Sequence, residues 1–235
     1  MNCKNKAFTL AEILLTLTIV GIVAMLTIPP LVTEVNKKQY TAGFLQAYSM
    51  LSEATALLME QNNGTMANVG PNLGFSYYPR FDTELRDAYC TVLNCVNKCP
   101  YRSWNVASDC LPDWAYTLAG NDYITSDTWY GTPTILSNGM WIKFTTLMSD
   151  YDDCEHSLSI DSDGNPDGCT QFIIDVNGLK GPNTLGRDMF NFAVVKHGIK
   201  LRPYSSTLCN PTGDHNQNGS RCGAKIILDG NQMTY

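Results

Sequence analysis

The stretch KAFTLAEILLTLTIVGIVAMLTIPP, residues 6–30, decides how the rest of the chain is read. From Phe8 to Ile28 its only ionisable side chain is Glu12. About 20 apolar residues span a hydrocarbon core as a helix, so the run is long enough to cross a bilayer. Lys4 and Lys6 precede it with no acidic residue between them. Basic flanks stay in the cytoplasm, which keeps residues 1–7 there and sends everything after Pro30 across the membrane. Glu12 is the anomaly, because a carboxylate inside the bilayer costs about 3 kcal/mol unless it is paired, and such a residue marks a function. A plain signal peptide or signal anchor gives no reason for it. A cut between Ala7 and Phe8 would supply one: the new ammonium would lie four residues from Glu12 in the same helix, or face the Glu12 of a neighbouring molecule.

Outside this segment the 235-residue chain has room for one globular domain of ordinary size. Lys plus Arg number 16 and Asp plus Glu 22, a formal charge of −6. A chain without a basic face is a poor partner for phosphate, so no nucleic acid is expected. Nine cysteines point to an oxidising compartment, in agreement with export of the domain. Nine is odd, and Cys3 lies ahead of the apolar run. The others, Cys90, Cys95, Cys99, Cys110, Cys154, Cys169, Cys209 and Cys222, form an even set of disulfide candidates.

After Pro29 and Pro30, the residues Phe44, Tyr48, Leu51, Ala54 and Leu58 recur every three or four positions. Lys37, Lys38, Gln46, Glu53 and Gln61 fall off that stripe. The pattern predicts one long helix from about Phe8 to Asn62, kinked at the prolines, stopping at Asn62-Asn63-Gly64 and packing its second half on a sheet. Residues 64–131 read as an irregular, variable region. Its run CTVLNCVNKC with Cys110 has thiols close enough for zinc, but outside the cytoplasm disulfides are the better reading, with three pairings open. At TPTILSNGMWIKFTT two β-rich runs flank Asn138-Gly139, a hairpin signal. CTQFIID, MFNFAVV, a turn at His197-Gly198 and IKLRPY complete an antiparallel meander of about four strands. The fold class is therefore α+β.

Between Phe144 and Leu179 there is no Lys or Arg, while Asp150, Asp152, Asp153, Glu155, Asp161, Asp163, Asp167 and Asp175 all occur. Oxygen side chains at alternate positions can surround Ca²⁺, but neither DSDGNPDG nor DVNGLKGPNTLGRDMF has the spacing of an EF-hand. For Asp161–Gly168 a solvated Asx-rich turn is the favoured reading. His156, His197 and His215 stand in no nucleophile or metal motif and read as surface residues, so no catalytic residue and no enzyme activity is expected. Asn63-Gly64-Thr65 and Asn218-Gly219-Ser220 match a glycosylation pattern short enough to arise by chance.

Lys6-Ala7 followed by Phe8-Thr9-Leu10-Ala11-Glu12, and then a long apolar helix carrying Gly21 and Pro29, resembles the N-terminal signal of type IV pilins and type II secretion pseudopilins. The resemblance implies a pilin-like fold, a long kinked N-terminal helix on a small antiparallel sheet with disulfide-stapled loops. It implies that prepilin peptidase removes residues 1–7, a cytoplasmic leader, by cutting at Ala7/Phe8 and methylating the Phe8 amine. Ala7 stands where the family usually has Gly. Residues 8–30 would then be the membrane and filament-core helix, with Glu12 the assembly carboxylate and Gly21 and Pro29 the helix-loosening and kinking positions. Residues 31–235 would be the extracytoplasmic domain: helix 31–62, Cys-rich region 64–131, then sheet and C-terminal loop 132–235.

Loss of residues 1–7 would also remove Cys3. The run around Asp175 is similar to one found in pseudopilin-like proteins, and calcium occupies the corresponding region of some major pseudopilins. Asp175, Asn177, Asn183 and Asp188 would be the oxygen donors of a structural Ca²⁺, or equally a loop held by Asx hydrogen bonds; no other cofactor is implied. The end, CGAKIILDGNQMTY, resembles the same group, with Cys209 and Cys222 bracketing the final loop. The function implied is a structural subunit of a type II secretion pseudopilus or type IV pilus-like filament. The alternative is a minor tip pilin acting as adhesin or substrate-binding module through the loop between Cys90 and Cys110. Partners would be the prepilin peptidase, other pilin subunits, the inner-membrane assembly platform and membrane lipid. The expected location is a single pass through a bacterial inner membrane, and a periplasmic or extracellular filament after assembly.

Overall fold

The computed structural model describes residues 9–66, 69, 78–100, 110–112, 114–124, 131–145, 170–195, 198–201 and 205–235. The chain divides into two compact units, Met1–Gln39 and Tyr40–Tyr235, and helix α1 (Leu10–Gln61) runs through both. In the first unit α1 carries no charged side chain from Ile13 to Thr33, and its large apolar side chains there are exposed, Leu14 to 57% and Leu26 to 70%; Glu34, Asn36, Lys37, Lys38 and Gln39 then end the apolar run. A helix with apolar side chains exposed all round is suited to lipid or to neighbouring helices. Its hydroxyls are satisfied internally, with Thr16, Thr18, Thr27 and Thr33 donating to the carbonyls of Ile13, Leu14, Val23 and Pro29. Pro29 and Pro30 lie within the helix and supply no N–H to the carbonyls a turn before them.

In the second unit α1 becomes one-sided. Thr41, Phe44, Ala47, Leu51, Ala54, Thr55 and Leu58 are buried at helical spacing. Tyr48 is only partly buried and lays its ring over Phe192 at 5.9 Å. At Gly43 a Cβ would stand 2.9 Å from the Val176 side chain, so only glycine lets the helix approach that close. The helix stops because Asn63 and Gly64 take left-handed φ values of 57° and 79°, while Gly64 N–H returns to Met59 O at 2.8 Å.

The region 64–131 is more regular than its sequence suggests. It holds helix α2 (Tyr78–Val92) and strands β1 (Cys95–Lys98), β2 (Ala115–Tyr116) and β3 (Asp122–Ile124). Leu85 and Tyr89 of α2 are buried four residues apart, with Ala88 and Val92 packed beside them. That spacing was present in the sequence, and Pro79 sits in the first turn, where it costs no hydrogen bond. Strands β4 (Thr132–Leu136), β5 (Trp141–Thr145), β6 (Thr170–Asp175), β7 (Met189–Val195) and β8 (Gly198–Leu201) follow. The main sheet is antiparallel in the order β1-β4-β5-β6-β7-β8, six strands where the sequence suggested about four. Asn138-Gly139 makes the β4–β5 turn: Gly139 has φ 88°, and Met140 N–H donates to Asn138 Oδ1.

Strand alternation builds two cores. Ile142, Phe144, Phe172, Ile174, Phe190, Phe192 and Val194 face α1 and α2, while Trp141, Ile173 and Met189 face a second cluster with Leu111, Ala115 and Leu185. In the first core Tyr89 lies 5.4 Å from Phe144 and 5.9 Å from Phe172, ring centre to ring centre. The Thr55 hydroxyl donates to Leu51 O at 2.7 Å, so the Tyr89 phenol donates to Thr55 Oγ1, also at 2.7 Å. Tyr89→Phe keeps the ring and removes one buried bond. It is expected to cost about 1 kcal/mol and to lower the thermal midpoint by about 2–4 °C in calorimetry.

The four central cysteines pair as Cys90–Cys95, tying the end of α2 to the start of β1, and Cys99–Cys110. Cys209 pairs with Cys222 at the start of α3 (Cys222–Leu228). A disulfide contributes about 2–4 kcal/mol chiefly by restricting the unfolded chain. Cys3, Cys154 and Cys169, the acidic residues Asp150, Asp152, Asp153, Glu155, Asp161, Asp163 and Asp167, and His156 and His197 lie outside the described residues.

Candidate functional site

Glu12 occupies the third position of α1, with Thr9 just before the helix. Its Oε2 accepts the Thr9 N–H at 2.8 Å and the Thr9 hydroxyl at 2.9 Å. Glu12 N–H in turn reaches Thr9 Oγ1 at 3.3 Å. This is a reciprocal capping box, and it places a negative charge where the first turn's free N–H groups favour one. Thr9 is a neutral partner, so the cap engages one Glu12 oxygen without supplying the opposite charge. The T-x-x-E spacing that signals such a box is present in the sequence. Ala7 and Phe8 lie outside the described residues. Gly21 is helical with open space where a Cβ would be.

A second polar constellation lies in the loop between β6 and β7. Asp175, at the end of β6, accepts the Asn177 N–H on Oδ1 at 3.0 Å. Asp188 accepts Asn183 N–H on Oδ2 at 2.8 Å and Thr184 N–H on Oδ1 at 2.6 Å. The Asn177 side-chain amide donates to Gly181 O at 3.2 Å and also contacts Asp188. Asn183 has a left-handed φ of 49°, a conformation asparagine tolerates. Asx bonding therefore shapes the loop, and Asp188 serves the backbone first.

Three oxygens are left over. Asp175 Oδ2, Asn177 Oδ1 and Asn183 Oδ1 are buried and accept no hydrogen bond from the described residues. Burial, and then the charge of Asp188, hold the Asp175 carboxyl well above the ordinary aspartate range, against backbone bonds from Asn177 and Gly178. Burial likewise raises Asp188. The Tyr40 phenol is raised by its own burial and then by the charges of Asp188 and Asp175. An all-oxygen set with two buried carboxyls and orphaned amide oxygens fits a hard cation such as Ca²⁺, which would satisfy the oxygens and offset the repulsion.

With this geometry in view, comparison with known proteins is informative at one end of the chain. Residues 2–28 match the model of the prokaryotic N-terminal methylation motif. This is the type IV pilin and pseudopilin signature. The motif marks a family of structural subunits that prepilin peptidase processes and that assemble with one another, and with its apolar helix it fits inner-membrane anchoring before assembly. The α+β architecture, a long N-terminal helix with an antiparallel sheet and disulfides in loops, is consistent with the pilin-like fold. No curated protein and no solved structure matches the chain.

Asn218 is fully buried: it accepts Asn210 N–H and donates to the carbonyls of Asn210 and Gly213. It is a structural pin, with no exposed amide for a glycan. Asn218→Ala would strand those partners and is expected to cost about 1–3 kcal/mol in denaturant unfolding. His215 is exposed, and its Nδ1 accepts Gln217 N–H at 3.0 Å.

Proposed function

We propose that this chain is a structural subunit of a type II secretion pseudopilus or type IV pilus-like filament at a bacterial inner membrane. The observation that carries the reading is the methylation motif at residues 2–28, continuing into a helix whose large apolar side chains are exposed as far as Val35 and which is core-forming from Thr41. Prepilin peptidase cuts between Ala7 and Phe8 and methylates the new amine. Residues 8–30 anchor the subunit, and the rest stands outside the cytoplasm, where its disulfides persist. The assembly platform lifts the subunit from lipid into a helical core of like segments. There the Phe8 ammonium of one subunit meets the Glu12 of the next in a medium of low dielectric, where the attraction is strong.

The loop between β6 and β7 holds a structural Ca²⁺ in this reading, through Asp175, Asn177 and Asn183, with Asp188 fixing the loop. The ion supplies charge neutralisation and rigidity and no reaction. Shearing the filament fraction from cells that carry the full assembly machinery tests the proposal. The processed chain is expected in that fraction and absent from it when the assembly ATPase is deleted. A processed chain found only in the membrane in both strains contradicts the filament role.

A further inference from the structure

Gly186 is the apex of the turn that carries Asp188. The N–H groups of Arg187, Asp188 and Met189 all return to Thr184 O, at 3.0, 3.3 and 3.2 Å. Asp188 O accepts Val176 N–H at 2.9 Å, so the turn is also tied to the Asp175–Asn177 side of the loop. One further contact comes from far along the chain: the Tyr235 phenol donates to Gly186 O at 2.6 Å.

The far side of the turn rests on the C-terminal segment. At Gly186, φ 78°, a Cβ would meet Cys222 Sγ at 2.9 Å and Gly219 Cα at 3.1 Å. At Gly219 a Cβ would stand 2.3 Å from Leu185 O. Two glycines thus let the turn lie directly on the Cys209–Cys222 disulfide, which is buried with Leu118 and has Tyr235 packed against it. Packing alone would be served by phenylalanine at 235, whereas the hydroxyl adds a directed bond to the turn's apex. Burial, and then the Asp229 carboxylate, push the phenol's ionisation upward, so it stays a donor at ordinary pH.

We propose that Tyr235, seated on the Cys209–Cys222 disulfide, is a positioning residue for the cation loop: by holding Gly186 it fixes Asp188, and through Asp188 the buried oxygens of Asn177 and Asn183. The inference rests on the calcium reading given above. Groups that orient metal ligands without touching the metal typically change affinity by about 10–100-fold when removed.

The test is calorimetric titration of the full-length, detergent-solubilised protein with CaCl₂ alone, paired with hydrogen exchange of the Gly186–Met189 amides in the metal-free state. Tyr235→Phe is expected to weaken Ca²⁺ binding by about tenfold and to speed exchange at those amides. Thr234→Ala, whose hydroxyl meets Asp229 and not the turn, is expected to bind as the wild type does. The double variant Cys209→Ser, Cys222→Ser keeps the phenol and removes the covalent platform, and is expected to weaken binding in the same direction. Wild-type affinity and exchange in both Tyr235→Phe and the double variant would overturn the positioning role and leave the calcium site standing. A wild-type protein that takes up no Ca²⁺ would overturn the calcium reading and this inference with it.

Discussion

Glu12→Gln is expected to reduce incorporation into filaments by at least about a hundredfold while leaving the subunit processed and in the membrane. Removing one partner of a buried charge pair costs about 3–5 kcal/mol, which corresponds to that factor or more. The glutamine retains an oxygen for the Thr9 N–H and hydroxyl, so the capping box that starts α1 survives and the loss falls on pairing with the neighbour's ammonium. Thr9→Val separates the two effects. It removes the hydroxyl half of the cap, expected to cost about 1 kcal/mol, and leaves the carboxylate to pair between subunits. Quantifying each variant in sheared filaments against the membrane pool distinguishes them: Gln at 12 abolishes assembly and Val at 9 weakens it. Equal, mild effects would mean that Glu12 only caps its helix.

Ca²⁺ is expected to stabilise the wild-type chain by about 2.7 kcal/mol at a hundred times its dissociation constant, a rise of about 5–10 °C in thermal midpoint. EDTA should reverse it. Asp175→Asn makes the prediction sharper. The buried carboxyl lies in the field of Asp188, and its Oδ1 bond to Asn177 N–H is one that an asparagine oxygen can keep. In the absence of metal the variant is therefore expected to be as stable as the wild type or more so. In the presence of metal it gains nothing, because the anionic donor is gone. A variant destabilised without metal and still responsive to it would remove Asp175 from the site. Scanning calorimetry of both proteins with and without CaCl₂ decides between these outcomes.

What the sequence showed and what it hid follow one physical division. The front of α1 was legible because bilayer length and a lone carboxylate are properties of composition, and its second half because Phe44, Leu51, Ala54 and Leu58 repeat at helical spacing. The hairpin at Asn138-Gly139 was legible because a left-handed turn selects those residues. Helix α2 was hidden among the prolines and asparagines around it, although Leu85, Ala88, Tyr89 and Val92 carry its period. Strand β1 is four residues long, almost wholly exposed, and defined by its pairing with β4, which local sequence does not encode. The partners of Cys90 and Cys99 were left open for the same reason, since pairing depends on which segments the sheet brings together.

In the loop after β6 the oxygen-bearing residues were visible. The commitment of Asp188 to two backbone N–H groups, and the reach of Tyr235 to Gly186, were not, because both depend on the shape of the turn.

Assembly into a filament requires processing at Ala7/Phe8, so the most direct measurement is the intact mass and N-terminal sequence of the membrane-bound protein from cells with and without prepilin peptidase. A chain that begins at N-methylated Phe8 when the peptidase is present, and at Met1 when it is absent, is the predicted result. A chain that begins at Met1 in both, or that is cut near Ala24, would contradict the filament reading and leave an ordinary anchored or secreted disulfide protein.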